Sequence, residues 1–380
     1  MKKLAIIGAS IHQEPLIQKA KSMGIETHVF AWKAGDIGER SADFFYPISI
    51  TEKEQILEQC KKIGIDGICS IGSDLAMVAV NYVADAMHLT GNSLETMQVS
   101  TNKHLMRQVF DEHNDPSPRS IMIEKASDVE AAGLKYPIII KPTDRSGSRG
   151  IMKLKTPEGL DEAIRCAAKQ SFEKKALAEE FAEGLEYSVE CISWQGEHHF
   201  LAMTKKYTTG APHFIETGHL QPAEVGPEAL ACVKAVTNHA LCSLGIKNGA
   251  SHTEIKIDSD GVIRIIEIGG RMGGDFIGSR LVELSTGVDF LRAVIDVALG
   301  TVPDLSSKGT GGTAAVRFVL SKEDLCVFED LKKTHPEYIV EYDIGDVTGE
   351  VTDSSTRFGY YIMRASTAEQ LAFYLPKEKA

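Results

Sequence analysis

The sequence predicts a mixed α/β and α+β chain of several domains. Three observations carry this. Strand and helix patterns alternate through residues 1 to about 92, a Gly/Ser-rich loop follows an apolar strand near residue 140, and a glutamate-bearing hairpin, SHTEIKIDSDGVIRIIEIGGRMGGD, occupies 251–275. A length of 380 residues with 43% hydrophobic and 25% charged side chains agrees with two or three globular cores.

In the first stretch LAIIG, ETHVF and DGICSIG read as strands, and EPLIQKAKSMG, EKEQILEQCKKIG and DLAMVAVNYVADAMH as helices. The βαβαβα order implies a parallel sheet with helices on its faces. It is not a dinucleotide fingerprint. The first turn, GASIHQ, lacks G-x-G-x-x-G, and ETHVF runs into Ala31-Trp32 where a ribose-binding acid belongs. MKKLAIIGAS superficially resembles a signal peptide, but its apolar run stops at Gly8, too soon for an h-region, so a first strand is expected. No apolar run approaches the ~18 residues of a membrane span. A net charge of −12 argues against a general nucleic-acid partner. The seven cysteines are scattered, without C-x-x-C or a Cys/His cluster, and read as reduced, mostly buried thiols of a cytoplasmic protein rather than a zinc site.

TNKHLMRQVF is the next helix; Thr101 or Asn102 could cap it, and Lys103 and Arg107 share one face a turn apart. Alone, that face is equally a solvated basic stripe. YPIIIKPTDRSGSRG is a strand ending at Lys141-Pro142, then a loop with Arg145 and Arg149, leading to the strand GIMKLKT. Glycine-freed N–H groups beside a lysine make a sensible phosphate cradle. The loop is not a Walker A motif, and by itself it also suits a surface hairpin. PEGLDEAIRCAAKQ is helical, and LAEEFAEGLEYSVECISW is strand, turn at Glu183-Gly184, strand, carrying Glu179, Glu180 and Glu186. A solvated acidic edge is the plain alternative. KKYTTGAPHFIETGHLQPAEV reads as a long polar loop, and PEALACVKAVTNHALCSLG as the helix before the hairpin.

In the hairpin, Asp260-Gly261 predicts a two-residue type I′ loop. Ser259 then pairs with Val262, Asp258 with Ile263 and Glu254 with Glu267. Facing carboxylates with Cβ atoms about 5 Å apart repel, so a cation is expected between them. The alternative is an exposed hairpin whose acids point into water beside Lys256 and Arg264. Residues 301–380 mix short strands (TAAVRFVL, FGYYIMRA) with Gly turns and helical pieces.

Taken in order, these motifs resemble the ATP-grasp superfamily over residues 1 to roughly 300, nearest its carbamoyl-phosphate-synthase-like and L-amino-acid-ligase branch. The resemblance implies a Rossmann-like pre-ATP-grasp domain (1–92), an ATP-grasp domain holding nucleotide between two subdomains (93–300) and a C-terminal subdomain (301–380). It implies ATP with Mg²⁺ or Mn²⁺, hard cations that favour carboxylate and phosphate oxygens. Lys103 and Lys141 match the phosphate-holding lysines, and 144–150, with Ser146, Gly147 and Ser148, the loop that closes over the phosphates. Glu179 matches the acid at the adenine edge, the backbone of Glu180 to Ala182 the hinge, and Glu186 the ribose contact. Glu254 and Glu267 match the metal-binding acids, and Arg271 the arginine that steadies the transferred phosphate. The family commonly has Glu-x-Asn-x-Arg after the second acid, whereas EIGGR puts Gly269 where Asn would stand. Gly269 is therefore not assigned as a ligand, and the number of metal ions stays open.

The implied chemistry is an ADP-forming carboxylate–amine ligation through an acyl phosphate, on an amino acid or small carboxylate. Its partners are small molecules, not nucleic acid or membrane, and the resemblance implies a homodimer. Phosphoryl transfer needs positioning and charge neutralisation, and a closing loop protects the acyl phosphate from water. Candidate substrate residues are His213, Glu216 and His219 in APHFIETGH, together with Arg280. Arg280 could hold a carboxylate bidentately or form a surface pair with Glu283. His252 flanks the metal strand, as structural support or in catalysis. A biotin-independent carboxylase of a small amine shares every nucleotide residue, and a nucleotide-binding regulatory protein without turnover is the alternative of another class.

Overall fold

The computed structural model describes every residue except Ser146, Ser148, Pro212, His213, Thr310 and 378–380. The first sheet is parallel, in the order β3-β2-β1-β4, from β1 (Lys3–Ile7), β2 (Glu26–Phe30), β3 (Phe44–Tyr46) and β4 (Gly67–Cys69). β1, β2 and β4 are largely buried because helices cover both faces, Glu14–Ser22 contributing Leu16 and Ile17 to one core and Asp74–Met87 contributing Ala76, Ala79 and Val83 to another, while the edge strand β3 is part-exposed.

The second sheet, β5-β8-β6-β7, is antiparallel and built from β5 (Ser120–Ile123), β6 (Ile138–Pro142), β7 (Met152–Leu154) and β8 (Ala176–Glu180). The third has eight strands: β9 (Leu185–Trp194), β10 (Glu197–Thr208), β11 (Glu216–Gln221), β12 (Gly249–Ile257), β13 (Ile263–Gly269), β14 (Thr313–Phe318), β15 (Ile339–Ile344) and β16 (Gly359–Ala365). Their order is β13-β12-β9-β10-β11-β14-β16-β15, so the last 80 residues extend this sheet.

The strand, turn, strand order around Glu183-Gly184 is observed, with β8 and β9 in different sheets and 181–184 as the link between them. Two expectations change here. The polar run after Lys205 is not a loop throughout but the paired ends of β10 and β11, with Lys206 opposite His219. Its polarity misled because these side chains face a cavity rather than bulk water. Finally, four of the seven cysteines are exposed, Cys166, Cys232, Cys242 and Cys326, each on the outer face of a helix. Buried Cys60, Cys69 and Cys191 have their thiols pushed up to about 12 by desolvation.

The hairpin also closes differently. Ser259, Asp260 and Gly261 form a three-residue loop, in which Gly261 N donates to Asp258 O (3.1 Å) and Asp258 N to Val262 O (3.2 Å). Gly261 takes the left-handed conformation, φ 80°, that ends a type I turn in a bulge. Asp258 Oδ1 accepts from the N–H groups of Asp260 and Val262, both at 2.9 Å, which favours this turn over type I′. Ile257 therefore pairs with Ile263 and Ile255 with Ile265, one residue out of the expected register. That slip alone would turn Glu267 into the core. A bulge at Ile266 cancels it, and Glu254 faces Glu267 after all. Two consecutive residues, Ile266 and Glu267, then border the same cavity while Ile265 and Ile268 stay fully buried.

Candidate active site

The cavity lies between the second and third sheets. The third sheet presents Glu186 on β9, Lys206 on β10, Glu216 on β11, Glu254 on β12 and Glu267 on β13, so five neighbouring strands deliver charge to one wall. The second sheet supplies Lys141 and Glu179, diagonal neighbours across the β6–β8 ladder, and Glu180. Ala182 and Phe181, in the link between the sheets, and Gly147 border it as well. Pro118, Ile139, Ile151, Phe181, Phe214 and Ile266 make an apolar lining next to these charges. An apolar slot beside convergent cations suits a flat ring carrying a polyanionic tail.

Each charge has a defined partner. Asn102 caps helix Lys103–Glu112 by accepting from the N–H groups of His104 and Leu105. The Lys103 backbone N donates to Thr143 O (2.7 Å), tying the helix to the end of β6. Its ammonium donates to Glu267 Oε1 (2.7 Å) and Arg145 O (2.8 Å). Arg107, on the same face, is not solvated but buried, with Nε 2.7 Å from Glu179 Oε1. Lys141 pairs with the other oxygen of Glu179. Burial opposes the Glu179 charge, yet Arg107 and Lys141 outweigh it and hold the carboxyl below its usual range. Burial, with Arg107 and Lys103 nearby, also lowers the Lys141 pKa despite Glu179.

The sequence reading missed Lys206. Its ammonium bridges Glu186 (2.8 Å) and Glu254 (2.7 Å), and those carboxylates outweigh burial and raise its pKa well above normal. Burial works against the Glu254 charge in turn, but Lys206 and His252 keep it ionised. The repulsion expected between Glu254 and Glu267 is thus met by one lysine on each. His252 Nδ1 pairs with fully buried Glu190, and Nε2 lies 3.4 Å from Glu254 Oε1. Desolvation disfavours its charge, but the two carboxylates win and push the His252 pKa up to about 9. Arg271 borders the same cavity, with Asp74 raising its pKa above the ordinary arginine value against burial.

A second cavity adjoins the first, sharing Lys206, Glu216, His252, Glu254 and Arg271. His219 lines it, buried, its Nε2 3.7 Å from Asp275 Oδ2. The N-terminal sheet contributes His12 and Gly72, beyond the carboxyl ends of β1 and β4, and the C-terminal segment contributes Ser354, Ser355 and Arg357. Arg357 clamps Asp275 with two bonds (2.8 and 2.7 Å), and Ser354 Oγ donates to Glu216 Oε2 (2.6 Å). Asp275 and Phe276 both hold positive φ, 50° and 64°, a costly backbone for non-glycine residues that this clamp secures.

Arg280 is not brought to these cavities. Its Nε donates to Glu341 Oε2 (2.9 Å), a partner on β15 rather than the expected Glu283, because helix residues after Phe276 turn this side chain toward the sheet edge. Arg280→Ala is accordingly expected to cost under about 1 kcal/mol of stability, read by urea unfolding, and to leave substrate KM unchanged. Ser146, Ser148 and His213 lie outside the described residues. Lys206 carried a faint signal, a lysine in a strand-like KKYTT run; Asp74, Glu190 and Arg357 had none, since each meets the site from far along the chain.

Residues 134–279 match the ATP-grasp domain family. Alanine–anticapsin ligase of Bacillus subtilis (strain 168) is 26% identical over 302 residues, covering 70% of this chain and 63% of that protein. Human carnosine synthase 1 is 23% identical over 339 residues, 81% of this chain and 41% of its own length. The chain thus spans less than two thirds of these curated relatives. The crystal structure of an L-amino acid ligase from Bacillus licheniformis superposes with a TM-score of 0.82 at 24% identity, over 98% of this chain and 96% of that one. Residues 134–279 are therefore those of an ATP-grasp domain, within a chain that shares the fold of that ligase over nearly its whole length.

Proposed function

We propose that the chain is an ATP-dependent, ADP-forming carboxylate–amine ligase acting on an amino acid or small carboxylate through an acyl phosphate. The observation that carries it is the convergence of Lys103, Lys141 and Arg271 with the Glu254–Glu267 pair on one cavity, beside a second cavity rich in both charge signs. Two carboxylates facing one space are the donor set Mg²⁺ uses when phosphate oxygens and water complete its shell. Glu254 and Glu267 would hold the metal, which supplies charge neutralisation at the phosphates.

In this reading the apolar slot by Phe181 receives the base, the backbone of Glu180 to Ala182 its edge, and Glu186 the ribose. Lys103 and Lys141 neutralise the phosphate chain and Gly147 belongs to its cover. A substrate carboxylate oxygen attacks the terminal phosphorus and ADP departs. Arg271 faces the transferred phosphoryl group, whose charge it stabilises. The amine nitrogen then attacks the acyl carbon, the C–O bond to phosphate breaks, and phosphate and the amine proton are released. Glu216 and His219 belong to the acceptor side.

Residues 1–92 act as a Rossmann-like pre-ATP-grasp domain, 93–300 as the ATP-grasp module and 301–380 as the wall of the acceptor side. A cytoplasmic location rests on the scattered free cysteines, and a homodimer on the resemblance. ADP and phosphate release with Mg²⁺-ATP, over single and paired amino acids, other carboxylates with amines, and bicarbonate, tests the reading. Release that requires a carboxylate and an amine together is expected. Dependence on bicarbonate would make it a carboxylase, and bound ATP with no release under any condition would make it a regulatory protein.

A further inference from the structure

We propose that Asp74, at the start of helix Asp74–Met87, is the positioning residue for Arg271, and that position 269 is glycine because a side chain there would expel it. Asp74 opens helix Asp74–Met87, whose N-terminus favours an anion, and Ser73 caps that helix by accepting from Ala76 N. The carboxylate takes Arg271 at two points, Nε to Oδ1 at 2.8 Å and Nη2 to Oδ2 at 3.0 Å. Parallel bonds of this kind fix the guanidinium plane. Nη1 keeps only a long contact to Met272 O, 3.4 Å, while Arg271 borders both cavities of the site. The backbone holds the same junction, Gly72 N donating to Met272 O at 3.2 Å.

Space decides the identity of residue 269. A Cβ there would stand 2.7 Å from Asp74 Oδ1 and 3.1 Å from Arg271 Nε, inside both atoms' contact distance. The ion pair occupies the room that any side chain on β13 would need. The N-terminal region therefore enters the chemistry through the first residue of helix Asp74–Met87, which holds the arginine. The pair joins residues 197 positions apart.

This rests on the ligase reading, and the test separates the two. Calorimetric binding of Mg²⁺-ADP and of a non-hydrolysable Mg²⁺-ATP analogue is measured for the wild type, Asp74→Ala, Asp74→Asn, Gly269→Ala and the double variant Asp74→Ala/Gly269→Ala. Asp74→Ala and Gly269→Ala are each expected to weaken the triphosphate analogue about tenfold and ADP less than about twofold. The double variant should lose no more than either single one, since both act through one contact. Asp74→Asn, which keeps the shape and one good acceptor, should fall between. Equal weakening of ADP and analogue, no change in either, or losses that multiply would overturn the proposal. A wild type that binds neither nucleotide would remove the ligase reading and this proposal with it.

Discussion

Glu267→Gln is expected to lower ADP release at least about a hundredfold, roughly 3 kcal/mol of transition-state stabilisation. The isosteric amide keeps the bulge at Ile266 and the Glu254 register intact, so the fold has no reason to change. It removes one of two anions that share the cavity wall and leaves the Lys103 ammonium, now 2.7 Å from Glu267, with neutral acceptors alone, the amide oxygen and Arg145 O. Glu254 differs in detail: Lys206 bridges it to Glu186, so Glu254→Gln should also loosen Glu186. Steady-state ADP release at saturating Mg²⁺, with a thermal melt as control, checks both variants. Full activity in either would show that the hairpin is not the metal site.

Glu179→Ala should be the most destabilising substitution in the site, by about 3–5 kcal/mol, because it leaves Lys141 and Arg107 buried side by side without their shared anion. Lys141→Met makes the contrast. It keeps the Arg107–Glu179 pair, should cost less than half as much in urea unfolding, and should still weaken nucleotide binding about tenfold or more. Comparable stabilities for the two variants would mean that the triad is not the structural support its geometry indicates. The triad also sets a pH dependence. The folded Glu179 carboxyl is held below its usual pKa, so its contribution is complete above the unfolded-chain value, about 4.3, and is lost as pH falls through the depressed folded value. Glu179→Gln should therefore flatten the acid limb of the stability curve.

Glu179 also shows how role and position separate. The motif order put an acid at the edge of the slot, and one borders it there. Both of its oxygens are committed to Arg107 and Lys141, so the chain uses it first as a counter-ion. The link at 181–184, by contrast, leaves backbone at the same edge between two sheets. Lys103 and Arg107 were legible as one helix face from their spacing. Whether that face met water or carboxylates depended on Glu267 and Glu179, which local pattern does not address.

By itself the sequence determined the local periods and the punctuation. Alternating apolar runs made the first parallel sheet, Asn102 began the lysine helix, and TEIKID with VIRIIEI made an antiparallel pair carrying two acids. Those features depend on neighbours a few residues apart. Only the tertiary structure decided that Glu267 points the same way as Glu254, since a three-residue loop and a bulge had to offset each other. It alone brought Lys206 to Glu186 and Glu254, Asp74 to Arg271 and Arg357 to Asp275. Such pairs form when distant segments pack, and buried charges choose partners by desolvation and geometry, which no local pattern records.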